Sequence, residues 1–215
     1  MTIPNESTTF HVPALLDSGA TFLWAMTGAL VAVRRGCDIV GLAVVATVSA
    51  LGGGLLRDGL FLQQIPVAVT SYLYLPLVAC AVLVVAILRV RLEPFTRHRS
   101  VDLIDALGIG AFAVVGMDKA MAASFTPWGV ILTGLVNALG GAILRDIFLN
   151  EVPAILRPSQ FYALPVFAGC LLYLTAIHFT ILNPTAAAWI TVACVFLLRL
   201  LTIQFGWKTS PMLSQ

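Results

Sequence analysis

Two arginine-aspartate pairs stand inside sequence that is otherwise apolar and rich in glycine. Residues 51–66 read LGGGLLRDGLFLQQIP, and residues 139–153 read LGGAILRDIFLNEVP. Adjacent Arg57 and Asp58, like Arg145 and Asp146, can neutralise each other, attract a cation through the carboxylate, or meet an anion through the guanidinium fork. That is ion-handling chemistry, and no nucleophile-base constellation accompanies it. Consecutive glycines weaken a helix by roughly 1 kcal/mol each relative to alanine, so Gly52, Gly53 and Gly54 predict a break, as do Gly140 and Gly141. Backbone freed at membrane depth must be buried in protein or face water, and an ionisable residue within a span points to function. The simpler reading is that Arg57 and Asp58 sit near the surface, snorkel and pair. Gly108, Gly110 and Ala113 fit G-x-G-x-x-A without the preceding strand a dinucleotide site needs.

The elements that carry these pairs belong to a bilayer. The chain of 215 residues is 60% hydrophobic and 10% charged, with a mean hydropathy of +0.99, outside the range of soluble domains. Seven stretches meet the length a spanning helix requires, near 14–34, 38–60, 70–90, 102–123, 128–148, 160–182 and 184–204. The first lacks the basic region of a secretory signal and reads as a retained helix. Cys37, Cys80, Cys170 and Cys194 have no C-x-x-C spacing, so free buried thiols are expected; His11, His98 and His178 have no ligand spacing either. Among the tryptophans, Trp24, Trp128, Trp189 and Trp207 supply candidates for an interfacial belt.

A shift of 88 residues superimposes Asp17 on Asp105, Gly28 on Gly116, and Gly52, Gly53, Arg57 and Asp58 on Gly140, Gly141, Arg145 and Asp146, without a gap. Three-helix units with an odd number of spans lie in opposite orientations. The expected fold is therefore an all-α membrane protein with seven transmembrane helices, an inverted 3+3 repeat plus one additional helix. Its parts are a short N-terminal segment (1–13), a first repeat (14–92), a basic cytoplasmic linker (93–101), a second repeat (102–183), a seventh helix (184–205) and a tail (206–215). Arg34, Arg35, Arg89, Arg91, Arg97, Arg99, Arg157 and Lys208 fall at connections that share one side when the N-terminus is outside and the C-terminus cytoplasmic. The net charge of +2 resides at those helix ends and gives no reason to expect nucleic acid.

Within the repeat, Ala46, Ala50, Gly54 and Asp58 are spaced by four, as are Gly134, Ala138, Ala142 and Asp146. Each set makes a ridge of small residues that leads to a carboxylate, and such ridges are also ordinary packing faces in lipid. Asp17 and Asp105, near the starts of the first and fourth helices, read either as first-turn acids that meet the helix dipole or as a cation-attracting vestibule. Asp118 and Lys119 read as a local ion pair or as a lysine that faces a pore and gates it.

The GGG-x-x-RD and GG-x-x-x-RD motifs, on the second helices of two three-helix units followed by a seventh helix, resemble the bacterial family labelled glycine transporter, related to the trimeric intracellular cation (TRIC) channels. The resemblance covers residues from about 14 to 205. It implies a homotrimer in the inner membrane of a bacterial or archaeal cell, each protomer with an hourglass pore between its repeats, permeable to monovalent cations and chiefly to potassium. It places Gly52, Gly53, Gly54, Gly140 and Gly141 at kinks in the second and fifth helices, with Arg57, Asp58, Arg145 and Asp146 lining or bracing the pore. No cofactor is implied; the partners are permeant potassium or sodium ions and membrane lipid. Ala142 departs from the pattern where the first repeat has Gly54, so the fifth helix is expected to bend less.

A second reading, a secondary transporter of a small amino acid such as glycine, uses the same inverted repeats and broken helices. Arg57 with Asp146, or Arg145 with Asp58, would then hold the carboxylate and amine. An enzyme is not expected.

Overall fold

The computed structural model describes residues 11–92, 98–156, 161–179 and 182–207. Among these residues the chain forms eight α-helices: α1 (His11–Arg34), α2 (Ile39–Leu56), α3 (Val67–Thr70), α4 (Tyr74–Leu92), α5 (His98–Ala122), α6 (Pro127–Phe148), α7 (Ala163–His178) and α8 (Pro184–Phe205). A π-helical turn, Arg57–Phe61, extends α2. The first ten residues, Arg97, Arg157, Lys208 and most of the tail lie outside the described residues.

Sequence dictates where the helices start. Asp38 and Thr126, 88 residues apart, cap α2 and α6 by accepting the amides of Gly41 at 2.8 Å and Gly129 at 3.3 Å. Asn183 caps α8 through Ala186 N at 2.7 Å. Pro127 and Pro184 occupy first-turn positions, where a missing N–H costs nothing. Gly206, at φ +61°, ends α8 in the left-handed conformation that glycine adopts without strain.

Four stretches are long and apolar enough to cross a membrane, Leu15–Arg34, Ile39–Phe61, Pro127–Phe148 and Pro184–Phe205, and two shorter apolar helices run Tyr74–Leu88 and Ala163–His178. α5 is long enough but carries Asp102, Asp105, Asp118 and Lys119. Its central face, with Ile109, Phe112, Ala113 and Met117, is buried against other helices.

The pair α2 and α6 crosses at the centre of the bundle, with α1 against α2, α4 and α5, and with α5 against α6 and α8. The packing obeys the 88-residue shift. A Cβ on Gly28 would lie 2.7 Å from Ser49 Cβ, and one on Gly116 would lie 2.7 Å from Asn137 Cβ.

The glycine clusters do not unwind their helices. α2 is α-helical through Gly52, Gly53 and Gly54, and α6 through Gly140 and Gly141 to Phe148. The expected break is displaced to the π turn at Arg57–Phe61 in the first half, and α6 has no counterpart to that turn. The glycines serve approach instead. A Cβ on Gly53 would collide with the Asn137 carbonyl oxygen, and one on Gly141 with the Ser49 carbonyl oxygen. A Cβ on Gly140 would lie 3.2 Å from Gly53 Cα. With no hydrophobic drive between helices in lipid, backbone contact of this kind supplies the attraction. Gly54 is the exception, because a Cβ there would meet only Arg57 Nη2, at 3.6 Å, and its counterpart Ala142 carries one.

Candidate ion site

In the first half, the π turn brings Arg57 and Asp58 inward; both are nearly inaccessible, at 2% and 1% exposure. Arg57 forks both oxygens of Asp58, Nε to Oδ1 at 2.6 Å and Nη2 to Oδ2 at 3.0 Å. Its Nη1 donates to Asn137 Oδ1 at 3.0 Å, and Asn137 Nδ2 donates to the Phe112 carbonyl at 2.6 Å. Asp58 Oδ2 also accepts the first amide of α3, from Val67, at 3.0 Å. Lys119, at the far end of α5, brings Nζ to 3.5 Å from Asp58 Oδ1. The Tyr74 hydroxyl donates to Asp17 Oδ2.

Asp17, Arg57, Asp58 and Tyr74 border a cavity of about 20 Å³, room for one water. Asp17, Thr21, Arg57, Asp58 and Tyr74 supply its polar wall, beside Gly54. Two carboxylates and one guanidinium line it, and Lys119 beside Asp58 brings the formal charge around it to zero, so that among the described residues Asp17 is the lining carboxylate without an ion pair and the one that suits a cation.

The second half repeats the couple with looser bonding. Arg145 Nε and Nη2 both donate to the same oxygen, Asp146 Oδ1, at 3.0 and 2.9 Å. Asp146 Oδ2 accepts Ala154 N at 2.9 Å, and Asp105 Oδ2 accepts the Tyr162 hydroxyl. Arg199 enters from α8, stacks over the Tyr162 ring at 4.5 Å and donates Nη1 to the Phe161 carbonyl at 3.0 Å. Arg145 Nη1, Asp105 Oδ1 and Arg199 Nε are buried and make no hydrogen bond among the described residues.

Several residues picked from sequence stand differently from expectation. Asp17 and Asp105 lie beyond the first turns of α1 and α5, so neither caps its helix; each holds a tyrosine. Asp118 does not pair with Lys119, since Asp118 Oδ1 accepts the Tyr173 hydroxyl at 2.6 Å while Lys119 reaches Asp58. Trp24 is wholly buried, edge-on to Phe112 with ring centroids 5.2 Å apart, whereas Trp128, Trp189 and Trp207 are exposed. Of the four cysteines, all free, only Cys170 is buried, and Cys80 is exposed. His178 is exposed.

Sequence reasoning passed over Tyr74, Tyr162, Asn137 and Arg199 as site residues. The two tyrosines are 88 residues apart, so the repeat itself signalled them. Asn137 corresponds to Ser49, and Arg199 lies outside the repeat, so neither had such a signal.

A bundle in which buried arginine-aspartate couples recur 88 residues apart, on apolar helices that cross at glycines, defines a duplicated helical membrane protein. The sequence profile of the family described as Glycine transporter matches residues 14–90 and again residues 102–178, and the chain belongs to that family. Its relatives include a UPF0126 membrane protein of Deinococcus radiodurans, 36% identical over 77% of each chain. The UPF0126 inner membrane protein YadS of Escherichia coli K12 is 29% identical over 90% of this chain and 92% of its own. Among solved structures, a TRIC cation channel superimposes with a TM-score of 0.83 at 28% identity, over 94% of this chain and 98% of its own. The TRIC trimeric intracellular cation channel orthologue from Rhodobacter sphaeroides gives 0.84 at 28% identity, over 91% and 99%. The fold is that of the TRIC channels.

Proposed function

We propose that the protein is a monovalent cation channel, permeable to potassium, whose path runs through each protomer between the two repeats at the crossing of α2 and α6. The observation that carries this reading is the cavity beside Gly54, which lies among α1, α2, α3 and α4 with Phe112 of α5 in its lining, is walled by Asp17, Asp58 and Tyr74, and has its arginine neutralised by the Arg57-Asp58 fork. An arginine in a cation path repels its cargo unless neutralised. Here each arginine is matched by the next residue in the chain, and the remaining carboxylates, Asp17 and Asp105, are the residues that draw a cation into either half. The likeness to TRIC channels supports the same assignment, together with a homotrimer surrounded by lipid.

In this reading seven helices span the membrane, and α8 stands outside two oppositely oriented three-helix units. Two ion pairs support that topology. Lys119, at the end of α5, meets Asp58 at the end of α2, while Arg35, after α1, pairs with Glu151, after α6. Each pair joins helix ends that an inverted repeat assigns to one face. The basic residues then put Arg35 on the cytoplasmic side and the N-terminus outside.

The test is potassium efflux from proteoliposomes, with Asp17→Asn and Asp105→Asn beside the natural protein. The channel reading expects efflux in response to an imposed gradient and a several-fold loss in each variant. Absence of potassium flux from protein that accumulates glycine would establish the carrier in its place.

A further inference from the structure

The two halves cross alike at their glycines but differ at a buried side chain beside each crossing. Gly53 lies against the carbonyl of Asn137, and Gly141 against the carbonyl of Ser49, so Asn137 and Ser49 hold the same place in the two halves. Asn137 uses both ends of its amide, accepting Arg57 Nη1 at 3.0 Å and donating to the Phe112 carbonyl at 2.6 Å. With the fork to both oxygens of Asp58, all three nitrogens of the Arg57 guanidinium are engaged, and α2, α6 and α5 are tied through one chain of bonds. Serine ends one bond sooner and offers a single hydroxyl. Ser49 Oγ and Arg145 Nη1 are both buried and make no hydrogen bond. Arg145 is also held less well by its own partner, since its two donors share one oxygen of Asp146.

We propose that Asn137 is a positioning residue that clamps Arg57 in place, and that Arg145, left unclamped by Ser49, is the arginine that swings when the path opens. The proposal rests on the channel reading for its consequence, not for its geometry. To move Arg57, three hydrogen bonds to a charged group must break and a buried amide oxygen is orphaned. To move Arg145, two bonds to one oxygen break, and a nitrogen that already has no partner gains the chance of one. The half that contains Arg57 is then static, and gating belongs to the half that contains Arg145, Asp105, Tyr162 and Arg199.

The clamp is tested by arginine side-chain ¹⁵N NMR on the full chain in lipid nanodiscs, which reads guanidinium reorientation whether or not the protein conducts. In the natural protein, Arg145 is expected to reorient at least about tenfold faster than Arg57, the factor one charge-assisted hydrogen bond sets. Asn137→Ser is expected to speed Arg57 toward the rate of Arg145, and Ser49→Asn to slow Arg145. Equal rates for the two arginines in the natural protein, which needs no variant to fold, overturn the clamp. Planar-bilayer recordings then test its consequence: Ser49→Asn lowers the frequency of opening at least about tenfold, and Asn137→Ser adds a second closing transition. An unchanged opening frequency in a Ser49→Asn protein whose Arg145 has slowed overturns the gating role. Should the natural protein carry no current, the channel reading fails while the NMR rates still decide the clamp.

Discussion

Adding a single methyl group at Gly53 should damage the bundle, while the same methyl one residue on should not. A Cβ on Gly53 falls on the Asn137 carbonyl oxygen, backbone against backbone, where no side chain can swing aside. At Gly54 it would meet only the end of the Arg57 side chain, at 3.6 Å, an ordinary contact. Overpacking costs about 1–3 kcal/mol, with backbone collisions at the upper end, and alanine returns about 1 kcal/mol through its helix propensity. Gly53→Ala should therefore lose about 2 kcal/mol net, and Gly54→Ala should be neutral or gain up to about 1 kcal/mol. At roughly 2–4 °C per kcal/mol for a chain of this size, the Gly53→Ala Tm drops by about 4–8 °C and the Gly54→Ala Tm holds or rises. Thermal melting in detergent, followed by helix circular dichroism, reads both. Equal melting of the two variants, or a Gly54→Ala protein less stable than Gly53→Ala, would refute the claim that the glycines exist for close crossing.

Arg57→Ala leaves Asp58 a buried carboxylate with Lys119, 3.5 Å away, in place of its fork and is expected to cost about 3 kcal/mol, the low end for breaking a buried pair, whereas Arg57→Met with Asp58→Leu should recover most of that loss in the same melting assay. Tyr162→Phe should destabilise by about 1–3 kcal/mol and by more than Tyr74→Phe, because Asp105 already has one oxygen without a partner while Asp17 borders the cavity; paired melting curves check the order. Lys119→Met removes a cation from beside Asp58 and should raise single-channel potassium current at low salt, with the difference shrinking as screening grows. Arg35→Ala breaks an ion pair in which Arg35 is about half exposed, and should shift stability by less than about 1 kcal/mol.

What the sequence made legible was set by repetition. Asp17 with Asp105 and Arg57-Asp58 with Arg145-Asp146 stood out because an 88-residue shift aligned them, and the structure buries all six. The glycines were legible as special but not in their role. Helix propensity counts only what glycine costs an isolated helix, and the gain here comes from a second helix whose carbonyl needs the vacant space at Gly53 and Gly141. The local rule for acids near helix starts failed at Asp17 and Asp105 because α1 and α5 begin about three and four residues earlier than hydropathy indicates, which carries each acid past the first turn. Lys119 and Asp118 were adjacent in sequence but point to different helices, one toward Asp58 and one toward Tyr173. Asn137 and Arg199 were illegible for a further reason: their partners are 80 and 38 residues away and follow no periodicity.

The most direct test of the central claim is the reversal potential of single channels in a planar bilayer under a potassium chloride gradient, with Asp17→Asn recorded beside the natural protein. The account expects unitary currents that reverse near the potassium potential, and a smaller conductance in the variant because the cavity loses its unpaired negative charge. Reversal near the chloride potential, or a silent bilayer from protein that takes up glycine into liposomes, would contradict it.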